Sequence, residues 1–479
     1  MKKQILLVTT IAAILLIPGF LSVSGDTTST DFNYVPQHIA LQLSSGMSLP
    51  NGLPLCKSGS LINIVCYTPK FIKKAYEFPS TATLDGSGQT IVIVDAFGSP
   101  TIAADLALFD SVFGIAAPPS FTIFCGDSST PFDATTCPHV NIAPNVNPLH
   151  GEFGWSIETS LDVEYAHAMA PGANIVLDVA GTSSGNAINA AETAAIAAFP
   201  GAIFSQSFGI PEIFLHANNG QVMQAQQNYA NGVALGDTFF ASAGDSGATF
   251  GTSIAMSNFP GSDLHNTAVT GTNGLPYNAT GTLEPCPTST PFSCTSGLSA
   301  YHGPCVLGRT VAPNCIPDGY GGEQVWNEAT FGAATGGAPS LLFGVPSYQS
   351  GLGLTARGPD VAYNAAVDGG VLVVYGGFGF PVLFIVGGTS AGSPQWAGIA
   401  ALANQARANL SKGPIGDLNP VLYAIYHSAR YATDFHDITV GNDQLVGTPI
   451  GFSAATGYDL ASGIGSPIVD QLIVDLAAA

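Results

Sequence analysis

The chain has 479 residues, of which 32 are acidic and 11 are lysine or arginine, and its formal net charge is −21 at pH 7. This balance excludes an ordinary nucleic-acid-binding protein, which needs basic patches. Hydrophobic residues make up 46% of the chain and charged residues only 9%. Near pH 4 roughly half of the carboxylates would be protonated, so the composition favours a globular protein of acidic surroundings. An acidic surface kept only for solubility is the alternative interpretation.

The first 25 residues have the pattern of a secretory signal peptide, with two lysines, a long apolar run and then small residues. The apolar run is long enough for an uncleaved membrane anchor to remain an alternative. Eight cysteines fit a secreted, extracellular protein, because disulfides form in oxidising compartments. We predict sequence-local pairs, one choice among 105 connectivities: Cys56 with Cys66, Cys125 with Cys137, Cys286 with Cys294, and Cys305 with Cys315.

Along the chain, residues 26–66 are polar and irregular and are predicted to form a short N-terminal extension to one domain at 67–479. Short apolar runs typical of buried parallel strands occur at 89–96, 173–180, 201–209, 237–245, 371–377 and 382–388, and helical patterns occur at 184–199, 219–231 and 391–407. This alternation predicts an α/β fold, with a parallel sheet and helices on both faces. Residues 272–325 hold four cysteines and no clear periodicity, which indicates a disulfide-rich surface insertion.

Two polar residues follow predicted strands, Asp245 after FFASAG and Ser390 after LFIVGGT. Sites in open α/β sheets gather at the carboxyl ends of strands. Ser390 also precedes a predicted helix, whose N-terminus adds partial positive charge. Ser390 is therefore our candidate nucleophile, and a nucleophilic serine needs a base within hydrogen-bonding reach. His150 is followed by GEFGW rather than by a helix of small residues, so we do not expect it to be that base.

The base is predicted in the stretch GWSIETSLDVEYAHAMAP, where Glu158 and Asp162 lie four residues apart and would share one face of a helix. A solvated acidic face is the ordinary interpretation of such a pair, but the flanking apolar residues indicate a buried helix. In acid a histidine is protonated, whereas a carboxyl group titrates near pH 4 and can act as a base. Two adjacent carboxyl groups can also share a proton. We therefore expect Glu158 to deprotonate Ser390 and Asp162 to orient Glu158.

Acyl transfer also needs hydrogen-bond donors for the developing oxyanion. An ionised Asp245 would repel the oxyanion, whereas a protonated Asp245 would donate to it. This role is sensible only in acid, in agreement with the composition.

Several stretches together resemble the sedolisins, the serine-carboxyl peptidases, over about residues 67–475: WSIETSLDVEYAHAMAPGANIVL, SQSFGIPE, FFASAGDSGA, GGAPSLLFGVPSYQ, RGPDVAYNA and FIVGGTSAGSPQWAGIAALANQ. The resemblance implies a subtilisin-like α/β fold with a single catalytic domain. It also implies endopeptidase or tripeptidyl-peptidase activity at acid pH through an acyl-enzyme. The implied triad is Ser390, Glu158 and Asp162, with Asp245 as the aspartate of the oxyanion hole.

The same resemblance implies one structural calcium ion near the C-terminus, in the stretches HDITVGND and AATGYDLASGIGSP. Asp437 and Asp459 would supply carboxylates, and Ile438, Ala455 and Gly457 would supply backbone carbonyls. Mixed oxygen ligands of this kind suit calcium, which takes about six or more of them. Ala455 stands where the family usually has glycine, a change that a backbone ligand tolerates.

The chain departs from the family in its N-terminal part, because only about 40 residues separate the signal from the predicted domain. We therefore do not expect inhibition by a prodomain of the family's usual size. We expect a monomer that acts on proteins or peptides, with membrane contact only through an uncleaved signal segment. A non-catalytic secreted or surface protein on the same scaffold is the alternative, and the complete set of four candidate residues argues against it.

Overall fold

The computed structural model describes residues 31–42, 66–80, 82–125, 151–216, 219–274, 320 and 322–479. Its strands are β1 Val35–Pro36, β2 Ile39–Gln42, β3 Cys66–Tyr67, β4 Thr90–Ala96, β5 Phe121–Phe124, β6 Asn174–Ala180, β7 Ile203–Gln206, β8 Phe208–Pro211, β9 Thr238–Ser242, β10 Asn258–Phe259, β11 Asn266–Gly274, β12 Glu323–Val325, β13 Asn327–Glu328, β14 Ala333–Ala334, β15 Val361–Asn364, β16 Gly370–Tyr375, β17 Val382–Gly387, β18 Phe435–His436 and β19 Ser466–Pro467. Its helices are α1 Pro69–Ala75, α2 Ile102–Phe113, α3 Gly151–Met169, α4 Gly185–Ala198, α5 Gly220–Leu235, α6 Gly392–Asn409, α7 Asn419–Tyr426, α8 Tyr431–Asp434 and α9 Val469–Ala478.

The main sheet has the strand order β5-β6-β4-β7-β9-β11-β15, and all neighbours in this order are parallel. Strand β12 adds an antiparallel partner to the end of β11. Parallel strands are covered on both faces, which explains the apolar runs that mark several of them. In β4, every residue after Thr90 is buried.

Side chains alternate between two cores along β4, as expected for a strand. Ile91 and Ile93 lie in the core that includes residues of α3 and α6. Val92 and Val94 lie in the core that includes residues of α4 and α5. The predicted α/β architecture, with helices on both faces of a parallel sheet, is therefore confirmed.

The predicted strands at 371–377 and 382–388 exist, but they do not belong to the parallel sheet. They are β16 and β17, which pair antiparallel in a separate four-stranded sheet with β2 and β3. Only six residues connect them, whereas a parallel connection needs a crossover of about a dozen residues or more. The predicted strand at 201–209 is two strands, β7 and β8.

Both ends of the predicted insertion at 272–325 are strands, because β11 and β12 pair there, and residues 275–319 lie outside the described part of the chain. Cys66 and Cys125 are each disulfide-bonded. The other six cysteines, like the predicted signal at 1–25, lie outside the described residues, so the cysteine pairing stays a prediction. Within the described residues, no helix is both long and apolar enough to span a bilayer.

Candidate active site

Helix α3 carries two carboxylic acids into the interior, Glu158 and Asp162, and neither has any solvent exposure. Asp95 of β4 is equally buried and lies close to them. Burial, followed by the nearby charges of Glu158 and Asp95, raises the pKa of Asp162 well above its usual value. Burial and the charge of Glu158 also raise the pKa of Asp95 well above its usual value. These three residues form what we call the carboxyl cluster, which cannot easily hold three negative charges.

Ser390 lies in a short 3-10 helix, Thr389–Ala391, between β17 and α6, and is fully buried. Its Oγ donates a hydrogen bond to the carbonyl oxygen of Ser207 at 2.9 Å. The side chain of Ser207 in turn donates to Asp162 Oδ1 at 2.8 Å. Ser207 therefore connects the candidate nucleophile with the carboxyl cluster. Within the described structure, no hydrogen bond joins Ser390 directly to Glu158.

Asp245 lies three residues beyond β9 and is anchored to the residue before Ser390. Its Oδ1 accepts hydrogen bonds from the backbone N and from Oγ1 of Thr389, both at 2.8 Å. Its Oδ2 has no hydrogen-bond partner among the described residues. Burial raises the pKa of Asp245 well above its usual value, and the charge of Glu158 adds to this effect. Asp245 therefore keeps its proton to a higher pH than an ordinary aspartate.

Two residues of the N-terminal extension, Gln37 and His38, also lie at this site, and no sequence pattern predicted them. The backbone N of Ser390 donates to the carbonyl oxygen of Gln37 at 3.0 Å, and the backbone N of Gln37 donates to the carbonyl oxygen of Ser207 at 3.1 Å. His38 Nδ1 forms a short hydrogen bond with Glu158 Oε2. Ser207 was missed as well, although it follows β7 at the sheet edge where Asp245 follows β9.

Comparison with curated proteins finds relatives over most of the chain. It is 30% identical to kumamolisin of Bacillus sp. (strain MN-32) over 420 residues, which are 85% of this chain and 63% of that protein. Over most of its length the chain is therefore similar to the sedolisin family. It is also 42% identical over 115 residues to tripeptidyl-peptidase sed1 of Aspergillus fumigatus, which are 24% of this chain and 16% of that protein. No protein-family model matches the chain.

Among solved structures, Pseudomonas sedolisin, a serine-carboxyl proteinase complexed with two molecules of pseudo-iodotyrostatin, matches with a TM-score of 0.63 and 24% identity, over 87% of this chain and 99% of that one. This likeness establishes the sedolisin fold. The chain spans less than two thirds of the length of the curated relatives, 63% of kumamolisin and 16% of tripeptidyl-peptidase sed1.

The calcium site predicted from the sedolisin resemblance has oxygen atoms of the kind that calcium binds. The backbone N of Gly457 donates to both carboxylate oxygens of Asp437 at 3.0 Å, and the backbone N of Ala455 donates to Asp459 Oδ2 at 2.9 Å. No described residue donates a hydrogen bond to the carbonyl oxygens of Ile438, Ala455 or Gly457. Among the described residues, no group of three or more histidine, cysteine or acidic side chains is arranged so that it could hold a metal ion by itself. Two carboxylates with three available carbonyls fit calcium, which accepts both ligand types and completes its shell with water.

Proposed function

We propose that the chain is a secreted serine-carboxyl peptidase that hydrolyses peptide bonds of proteins or peptides in acid. Ser390 is the nucleophile, Glu158 the general base, Asp162 its partner and Asp245 a protonated donor in the oxyanion hole. The observation that carries the proposal is the buried Asp245 carboxyl group, which Thr389 holds beside Ser390 with one oxygen free.

The first step is attack of Ser390 Oγ on the substrate carbonyl carbon. For this step the hydroxyl group turns from the carbonyl oxygen of Ser207 towards Glu158, which takes its proton. The oxyanion accepts hydrogen bonds from the backbone N of Ser390 and from the protonated carboxyl group of Asp245. Glu158 then protonates the leaving amine, and an acyl ester with Ser390 remains. Water hydrolyses this ester, with Glu158 again acting as the base.

Acid dependence follows from the carboxyl groups. Because burial raises the pKa of Asp245, this residue stays neutral through the acid range and ionises only when the pH rises well above the usual aspartate value. An ionised Asp245 would repel the oxyanion. The raised pKa of Asp162 also keeps a proton in the carboxyl cluster in acid. Activity should therefore be lost as the pH rises through the pKa of Asp245.

We further propose one structural calcium ion, held by Asp437 and Asp459 with the carbonyl oxygens of Ile438, Ala455 and Gly457. It would tie two separate segments of the C-terminal region together. Its role is structural, because neither carboxylate contributes to the carboxyl cluster. The protein is proposed to act as a monomer.

The test is hydrolysis of a denatured protein at pH 4, followed for hours with the full chain. Ser390→Ala should abolish cleavage, and Glu158→Gln should lower its rate by about 10²–10⁴-fold, the usual contribution of a general base. Glu152→Gln is the matched control, because Glu152 lies on the same helix but is exposed. Full activity of Glu158→Gln at pH 4 would contradict its assignment as the base.

A further inference from the structure

Residues 31–42 cross the candidate active site as an extended segment. Strand β1 pairs antiparallel with β8, with Val35 opposite Gly209. Strand β2 pairs antiparallel with β17, with Ile39 opposite Gly387. The segment thus joins the edge of one small sheet before the site and the edge of another after it. Proteins commonly bind extended peptides in this way, because backbone hydrogen bonds supply affinity and side-chain pockets supply selectivity.

The register of this segment is set at Gln37. Its carbonyl oxygen lies 3.0 Å from the backbone N of Ser390, within the range of roughly 2.7–3.1 Å expected of an oxyanion-hole donor. A β-carbon built on Gly388 would lie 2.4 Å from Asp245 Oδ2 and 2.5 Å from the carbonyl oxygen of Gln37, so these two oxygens are at most about 5 Å apart. Gln37 therefore occupies the position of the residue whose carbonyl group would be attacked.

Tyr34, three residues before Gln37, fills a pocket and is only 2% exposed. Its ring lies 4.8 Å from the ring of Phe208 and 6.4 Å from that of Phe259, measured between centroids. Both phenylalanines are fully buried, and they belong to β8 and β10. The backbone N of Tyr34 donates to the carbonyl oxygen of Ser183 at 2.8 Å. The pocket thus has aromatic walls and a backbone contact that fixes its occupant.

The hydroxyl group of Tyr34 lies at the inner end of the pocket and has no hydrogen-bond partner among the described residues. Burial raises its pKa, and the nearby charges of Glu192 and Asp263 add to the effect. A buried pocket with aromatic walls disfavours a charged occupant, and the unpaired hydroxyl group gives tyrosine no advantage over phenylalanine.

We propose that residues 31–42 are bound as a tethered substrate analogue, and that the pocket of Tyr34 is a subsite for an aromatic side chain of the substrate. The preferred substrates are extended peptides with phenylalanine or tyrosine three residues before the residue whose carbonyl group is attacked. The register of attack rests on the proposed function, whereas binding of the aromatic side chain does not.

The first experiment measures kcat/KM of the full chain at pH 4 on quenched fluorescent peptides based on residues 31–42. The position of Tyr34 is varied to Phe, Ala and Glu. Tyr and Phe should exceed Ala by at least about tenfold, because burying a side chain of this size contributes more than one factor of ten. Phe should equal or exceed Tyr, and Glu should be the poorest. The matched control varies the half-buried position of Val35 to Ala, which should change kcat/KM by less than about threefold.

The second experiment measures binding without catalysis. A fluorescent peptide of residues 31–42 is titrated, by anisotropy, into the full chain that carries Ser390→Ala and Tyr34→Ala together, so that the tethered segment competes poorly. The peptide with Tyr should bind at least about tenfold more tightly than the peptide with Ala at that position. In the active protein, Tyr34→Ala alone should raise the initial rate on a short peptide.

The outcomes separate the two proposals. Equal kcat/KM for the Tyr, Phe and Ala peptides, or equal binding of the Tyr and Ala peptides, would overturn the aromatic subsite. If no peptide is cleaved but binding still depends on the aromatic ring, the subsite stands and the proposed peptidase function fails.

Discussion

Replacing Asp245 by asparagine separates a neutral hydrogen-bond donor from an ionisable group. Oδ1 accepts two hydrogen bonds from Thr389, each 2.8 Å long. In Asp245→Asn the amide oxygen must take this place, because an amide NH2 group cannot accept them. The NH2 group then takes the place of Oδ2, beside Ser390, and can donate to the oxyanion. Asp245→Asn should therefore keep activity at pH 4 within about tenfold of the unmodified protein, whereas Asp245→Ala removes the donor and should lower kcat by roughly 10²–10³-fold, or about 3–4 kcal/mol.

The dependence on pH distinguishes this role from a purely structural one. Since the pKa of Asp245 is raised by burial, the unmodified protein should lose activity as the pH rises through that pKa. The asparagine variant has nothing to ionise at this position, so its activity relative to the unmodified protein should increase with pH.

The assay is kcat/KM on a quenched fluorescent peptide from about pH 3 to about pH 8, with circular dichroism to confirm that each variant is folded. If Asp245→Asn is as inactive as Asp245→Ala at pH 4, or if its pH profile has the same shape as that of the unmodified protein, the proton of Asp245 is not the oxyanion donor.

Three further predictions concern stability and are measured by thermal unfolding. Chelation of calcium should lower the Tm by several degrees, and in Asp437→Asn the chelator should no longer change the Tm. An unchanged Tm of the unmodified protein after chelation would exclude a structural ion. Burial, and then the charge of Asp178, raises the pKa of Glu192 to about 8, so its stabilising effect is complete below the usual glutamate pKa and is lost as the pH rises through about 8. The Tm should fall over this range, and less steeply in Glu192→Gln; an equal slope in both proteins would contradict the assignment. Asp360→Ala should lower the free energy of unfolding by about 3–5 kcal/mol, because it leaves the buried guanidinium group of Arg357 without the carboxylate that it contacts at 2.6 Å. A decrease below about 1 kcal/mol would refute this prediction.

Some candidate residues of the site could be predicted because a local sequence pattern marks them. Glu158 and Asp162 stand out as two acids four residues apart in an apolar helix, and Ser390 stands out between a strand and a helix. Ser207 was not predictable as the connection between them. Its contacts depend on which strands lie side by side in the sheet, and no local pattern specifies that.

Some strands could likewise be predicted from a local pattern, and others could not. The apolar runs of β4, β6 and β9 were recognisable, because parallel strands are buried on both faces. Strand β11, with the sequence NTAVTGTNG, was missed because its polar side chains interrupt the apolar pattern, although several are buried in the sheet. The antiparallel pairing of β16 with β17 was available from their six-residue connection, but an apolar run alone does not say which sheet a strand joins.

In acid, protons on the same buried carboxyl groups stabilise the fold and support the proposed chemistry. Asp95, Asp162 and Asp245 are all buried, and burial raises the pKa of each well above its usual value. For a group of this kind, the native state binds protons that the unfolded chain releases, so stability is greatest in acid and declines as the pH rises. The proposed mechanism needs one of these protons on Asp245 and another within the carboxyl cluster. Raising the pH would therefore weaken the fold and oppose oxyanion formation together.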